Sequence, residues 1–310
     1  MVMQTGPTQA SHEGGFTLIE MMISIALLMI VSGTVMKGVL DMTTVNAVIT
    51  NRTDMHNGVR NATELLTQEV GQAGRITVPE TTVLSAASVF NATALTVNST
   101  NQLFVNEQVV VDTGNTEETT TVTAINGNVL TVGALDYAHA AGARVRAAGG
   151  FATGVVPDTV TNGSSGTRLK IYGDINGDGS MVYVEYWCDI NGDTGVGRLY
   201  RNSMPFTQVG KPAPTVEQIL IDNIATNPDN TPCFSYQKQT VSGVTYVTDV
   251  AITLTVQTNK VDPITKRVQT ETKALLNVAP RNVFNVWQLA SLGFTNRVQP
   301  MPASVQALLP

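Results

Sequence analysis

The 310-residue sequence predicts an α+β fold: a long, partly transmembrane N-terminal α-helix, then an antiparallel β-rich globular domain with a small inserted β-module. Three observations predict it. From Phe16 to Met36 the chain is apolar, with Glu20 its one charged residue. A helical stripe of apolar residues continues behind that run. After Ile76 the pattern changes abruptly to short alternating runs separated by turn residues. Composition agrees, since only 14% of residues are charged and Thr, Val, Asn and Gly abound, a mix that suits exposed, secreted β-structure. The net charge of −6 gives nucleic-acid binding little electrostatic support.

The run Phe16–Met36 holds 21 residues and ends at Lys37. As a helix it is about 31 Å long, the thickness of a bilayer core. An ordinary secretory signal has a basic start, a shorter apolar run and a small-residue cleavage site after it. Here the leader "MVMQTGPTQASHEGG" is polar, and the pair Gly14-Gly15 precedes the apolar run. A cut at that pair keeps the hydrophobic helix in the mature chain. Glu20 is the anomaly, because a carboxylate in hydrocarbon costs roughly 2.5 kcal/mol or more.

The stretch "GGFTLIEMMISIALLMIVSG", residues 14–33, resembles the class III signal of type IV pilins and type II secretion pseudopilins. The resemblance implies cleavage between Gly15 and Phe16 by a prepilin peptidase, and N-methylation of the new Phe16 amine. It also implies a single-pass protein of the bacterial inner membrane, with a periplasmic globular domain, that passes into a filament. Glu20 then becomes the fifth residue of the mature chain. In a filament it can neutralise a neighbour's terminal amine, a buried pair being cheaper than either charge alone. Two departures stand out. The leader lacks Lys and Arg, so the positive-inside rule does not support a cytoplasmic leader, and the helix lacks the mid-helix proline of many major pilins.

Residues 37–73 continue the helix with Val48, Met55, Val59, Ala62, Leu66 and Val70 on one stripe, and "GQAG" at 71–74 stops it. One helix of nearly 60 residues is expected, or two helices bent at Gly38. Next, "LFVNEQVVVDT", "TTTVTAINGNVLTVG" and "ARVRAAG" form a β-rich block over 103–149, with Asn126-Gly127 as a hairpin signal. It reads as an insertion, because the pilin-like pattern resumes after a Gly/Ser/Thr linker at 158–167. Strands at 168–173, 181–188 and 198–202 form a meander, and a hairpin at 247–258 and 267–279 flanks "KVDPITKR". The sequence "NVAPRN" at 277–282 resembles the C-terminal boundary of PilW-type minor pilins. The expected segments are a leader (1–15), the helix (16–75), the inserted module (76–160), a pilin-like β domain (161–282) and a loosely packed tail (283–310).

The stretch "DINGDGSMVYVE" matches the calcium-loop spacing of an EF-hand at Asp174, Asn176, Asp178, Gly179 and Glu185. If 181–188 is a strand, Glu185 lies about 15 Å away at 3.3 Å per residue and cannot close the loop. Two readings stay open: a Ca2+ ion held by Asp174, Asn176, Asp178 and backbone carbonyls, or a plain Asn/Asp/Gly turn. The second "DINGD", at 189–193, falls at the opposite end of the sheet, about 25 Å away on the same rise, and reads as another turn of the meander. Cys188 and Cys233 are expected to form a disulfide in an exported domain, worth roughly 3–4 kcal/mol. No Ser/His/Asp arrangement, HExxH or phosphate-binding glycine loop is present, and His12, His56 and His139 are scattered, so no enzyme is expected.

The expected function is that of a minor pilin of the PilW type, a structural subunit that joins or primes a type IV pilus. The resemblance implies as partners prepilin peptidase, the major pilin, other minor pilins, the inner-membrane assembly platform and the membrane. A J-type minor pseudopilin of type II secretion and a pilus-borne adhesin using the inserted module are the alternatives.

Overall fold

A computed structural model describes residues 15–74, 82–190 and 196–310, apart from the side chain of Leu276. Helix α1, Leu18–Gln72, runs unbroken for 55 residues, about 82 Å, with no bend at Gly38. It contains no proline, and its first turn is capped, so nothing interrupts the hydrogen-bond ladder. From Leu18 to Met42 its side chains are exposed, large apolar ones included. From Met55 onward the expected stripe is buried: Met55, Val59, Ala62, Leu66 and Val70 enter the core, while Val48 is half-buried. Gly74 ends the helix at φ +85°, where a Cβ would lie 2.7 Å from Val283 Cγ2, so only glycine fits.

Six strands follow: β1 (Thr82–Val83), β2 (Ala94–Thr96), β3 (Gln108–Val111), β4 (Glu118–Asn126), β5 (Val129–Val132) and β6 (Arg144–Ala147). Their sheet order is β1-β6-β3-β4-β5-β2. A bridge between Leu84 and Val97, with bonds from Ser85 N–H to Thr96 O and from Asn98 N–H to Val83 O, joins the two ends of the path. The sheet therefore closes into a small barrel, filled by Leu95, Val109, Val122, Leu130 and Val145 among others. Asn126 pairs with Val129, so the tight turn is Gly127-Asn128, with Gly127 at φ +58°. That is one residue beyond the Asn126-Gly127 pair expected from sequence.

After β7 (Gly150–Phe151) comes the main sheet: β8 (Arg168–Gly173), β9 (Val182–Asp189), β10 (Gly197–Pro205), β11 (Ile219–Ala225), β12 (Phe234–Val241), β13 (Val244–Gln257) and β14 (Thr270–Val278). The meander β8-β9-β10 and the hairpin β13-β14 are antiparallel, as their alternation predicts. The long β13 carries β14 on one edge and β12 and then β11 along the other. Leu169, Ile171, Val184, Tyr186 and Leu199 turn toward α1. Tyr172, Tyr183 and Met204 turn the other way.

The C-terminal segment covers that second face, which corrects the expectation of a loosely packed tail. Helix α2 (Arg281–Ser291) buries Val283, Val286 and Ala290, at spacings of three and four, against Ala152 and Tyr246. β15 (Val298–Gln299) pairs in parallel with β7, and α3 (Ala303–Leu308) inserts Val305 and Leu308 beside Tyr172 and Tyr183. The reason is physical: a sheet with apolar residues on both faces needs two covers, and α1 supplies only one.

Candidate functional site

Gly15, Phe16 and Thr17 form a non-helical stretch at the mouth of α1, and Phe16 is 86% exposed. The leader before Gly15 lies outside the described residues. Thr17 caps the helix. Its N–H and its hydroxyl each donate to Glu20 Oε2 at 2.9 Å, and Glu20 N–H donates back to Thr17 Oγ1 at 3.4 Å. This is a capping box, and its signature T-x-x-E was present in the sequence beside the apolar run. Glu20 therefore holds two donors of its own chain before any neighbour arrives. Around it stand Leu18, Ile19, Met21, Met22 and Ile23, all more than half exposed, on a helix long and apolar enough to cross a membrane.

The other end of α1 is held by a polar anchor that sequence reasoning missed. Glu69 is buried against the sheet; Tyr186 OH donates to its Oε2 at 2.5 Å, and Arg201 Nε and Nη2 grip its Oε1. Burial, together with the Glu69 carboxylate, pushes the Tyr186 hydroxyl far above its ordinary range. Nothing local to Glu69 marks the anchor, because its partners are more than 100 residues away in sequence. Nearer the membrane half, Asn51 Nδ2 donates to Lys260 O at 3.1 Å, and His56 pairs with Glu271, so the β13-β14 hairpin also braces the helix.

The "DINGDG" loop joins β8 to β9. Asp174 is fully buried, its Oδ1 accepts from Gly179 N–H at 3.2 Å, and its Oδ2 has no hydrogen-bond partner. Asp178 Oδ1 accepts from Ser180 N–H at 2.8 Å, and Asn176 is exposed. Glu185 lies down the strand, as expected. It belongs to a separate buried cluster in which Arg168 and Lys211 (Nζ at 2.7 Å) pair with it and Tyr183 OH donates at 2.9 Å. Burial pushes the Glu185 carboxyl up, but Lys211 and Lys170 outweigh it and hold the group below its ordinary value. This cluster lines a 530 Å³ cavity with the stacked pair Trp187 and Tyr200. Residues 191–193 of the second "DINGD" lie outside the described residues.

Cys188 at the end of β9 and Cys233 before β12 are bonded, with Cα atoms 6.5 Å apart. In the barrel, His139 is buried with Nδ1 3.2 Å from Asp112 Oδ2 and Nε2 2.7 Å from Glu118 Oε1. Both ring nitrogens are engaged by carboxylates, and the contact with His139 helps hold Asp112 below its ordinary value. Among the described residues no three His, Cys, Asp or Glu side chains converge as a metal cluster.

Residues 10–36 match the prokaryotic N-terminal methylation motif. No curated protein and no solved structure matches the chain. The motif implies processing by a prepilin peptidase and association with the membrane and with pilus machinery. Joined to one long apolar helix and an antiparallel β-rich domain, it supports a type IV pilin-like protein.

Proposed function

We propose that the chain is a minor type IV pilin of the PilW type, which acts by assembly and not by catalysis. One observation carries the reading. The methylation motif opens a single 55-residue helix whose first half presents bare apolar side chains and whose last third is pinned to a β-rich domain. The bare half holds the processed subunit in the inner membrane and later packs against neighbouring helices. The Phe16 amine and a neighbour's Glu20 fix the register of docking, because a pair in hydrocarbon tolerates little displacement. The globular domain, periplasmic in this reading, decorates or caps the filament, and the barrel is its outward device. The absence of a mid-helix proline favours a minor over a major subunit.

The test is intact mass of the membrane-extracted protein, with and without a co-expressed prepilin peptidase. Loss of residues 1–15 plus one methyl group, only when the peptidase is present, is the expected result. An unshortened chain in both samples leaves a membrane-anchored β-protein and sinks the filament reading.

A further inference from the structure

The loop between β8 and β9 holds a contradiction in solvation. Asp174 is fully buried, yet one of its two carboxylate oxygens has no hydrogen-bond partner. Leaving a carboxylate oxygen in that state costs several kcal/mol unless a cation or donor answers it. Among the described residues no ion pair includes Asp174 or Asp178. Gly179 N–H holds Oδ1 from the far end of the loop, so the Asp174 carboxylate spans the loop while its second oxygen has no donor. Gly177 at φ +70° and Gly179 at φ +85° fold the chain back on itself there.

We propose that residues 174–180 form a low-affinity calcium site, with Asp174, Asp178, the Asn176 amide oxygen and the Ser180 carbonyl as protein donors and water completing the shell. It stands independently of the pilin reading. The donors are all oxygens in a short loop, which suits Ca2+, with its 6–8 oxygen ligands and loose geometry, over Mg2+ or Zn2+. They also occupy positions 1, 3, 5 and 7 of the calcium-loop pattern, with glycine at position 6. The usual twelfth ligand is absent: Glu185 sits in its own cationic cluster, committed to Arg168 and Lys211. A site with two carboxylates and no bidentate closing ligand belongs with weak extracellular modules, with a Kd on the order of 0.1–1 mM. Its position gives it an effect. Met181 N–H, next to the loop, donates to Gln102 Oε1 of the barrel segment at 3.0 Å, and Tyr172, two residues before Asp174, packs on Phe151. An ion here stiffens the joint between barrel and main sheet.

The experiment uses the full chain in detergent, stripped with EDTA and titrated with CaCl2 or MgCl2 while thermal unfolding is followed. With calcium at about ten times the Kd, Tm is expected to rise by about 2–4 °C, with a much smaller rise in magnesium. Asp178→Asn, on the exposed side of the loop, is expected to weaken the calcium effect tenfold or more, read as the shift between metal-free and calcium-loaded Tm of that same variant. Asp174→Asn is expected to abolish it. No rise up to about ten times the weaker end of that Kd range, an equal rise in magnesium, or an undiminished calcium effect in both variants would each overturn the proposal.

Discussion

Glu107 carries a carboxyl group into a place that water does not reach. Its Oε2 accepts from Phe104 N–H at 3.2 Å, its Oε1 has no partner, and burial pushes its pKa from 4.5 up to about 8. Folding therefore takes up a proton wherever the unfolded chain has already released one. Stability contributed by this residue is fully present below pH 4.5 and is lost as pH rises through about 8. Replacing Glu107 by Gln keeps the acceptor for Phe104 and removes the titration. The denaturation free energy of that variant, followed from pH 5 to 8, is expected to lose a downward slope of about 2–3 kcal/mol relative to the parent. A slope identical in both proteins would show that the carboxyl is ionised in the folded barrel. Like Glu69, this residue is invisible to pattern reading, because a glutamate between Asn106 and Gln108 reads as surface until the barrel closes over it.

At the scale of elements, α1 was legible apart from its continuity at Gly38, because the apolar run and the stripe from Met55 to Val70 are local signals with a 3.6-residue period. The meander and the β13-β14 hairpin were legible through alternation and turn residues. Others were not, β12 and α2 among them. β12 lies along only part of β13 and is mostly exposed from Ser235 to Thr240, so its pattern lacks a buried stripe. In α2, the spacing of Val283, Val286 and Ala290 was present, but in a C-terminal segment broken by Pro300 and Pro302 that read as a tail. The docking of α1 rests on apolar contact plus the Glu69 anchor. Glu69→Ala strands a half-buried guanidinium and a buried tyrosine hydroxyl, and is expected to cost about 2–4 kcal/mol in urea unfolding. Glu69→Gln, which retains an acceptor for Tyr186, is expected to recover part of that loss.

At the scale of the molecule, one chain joins a membrane-length rod, a closed barrel and a two-faced sheet. The class of the fold followed from sequence, while the way the parts meet did not. The barrel rests on its neighbours through contacts such as Gln108 with Gln299 and Phe104 with Phe151, pairings far apart in sequence and without any periodic signature. The disulfide binds the sheet across the turn of the chain that contains β10 and β11, at a sequence separation of 45. Reduction is expected to remove about 3–4 kcal/mol and to lower Tm by about 10 °C, read by unfolding scans with and without reductant. An unchanged Tm would mean that the packing of α1 alone holds these strands. A bridge of this kind persists in an oxidising compartment.

The contact between Thr17 and Glu20 bears on traffic into and out of an assembly. Removal of residues 1–15 leaves both partners in place, including the Thr17 amide. On the assembly reading proposed above, a lone subunit holds its acid group against two neutral donors of its own chain, and docking adds a neighbour's cationic amine to them. The acid group would then mark where a subunit stops, and the bare apolar face of the helix would decide how firmly it is held.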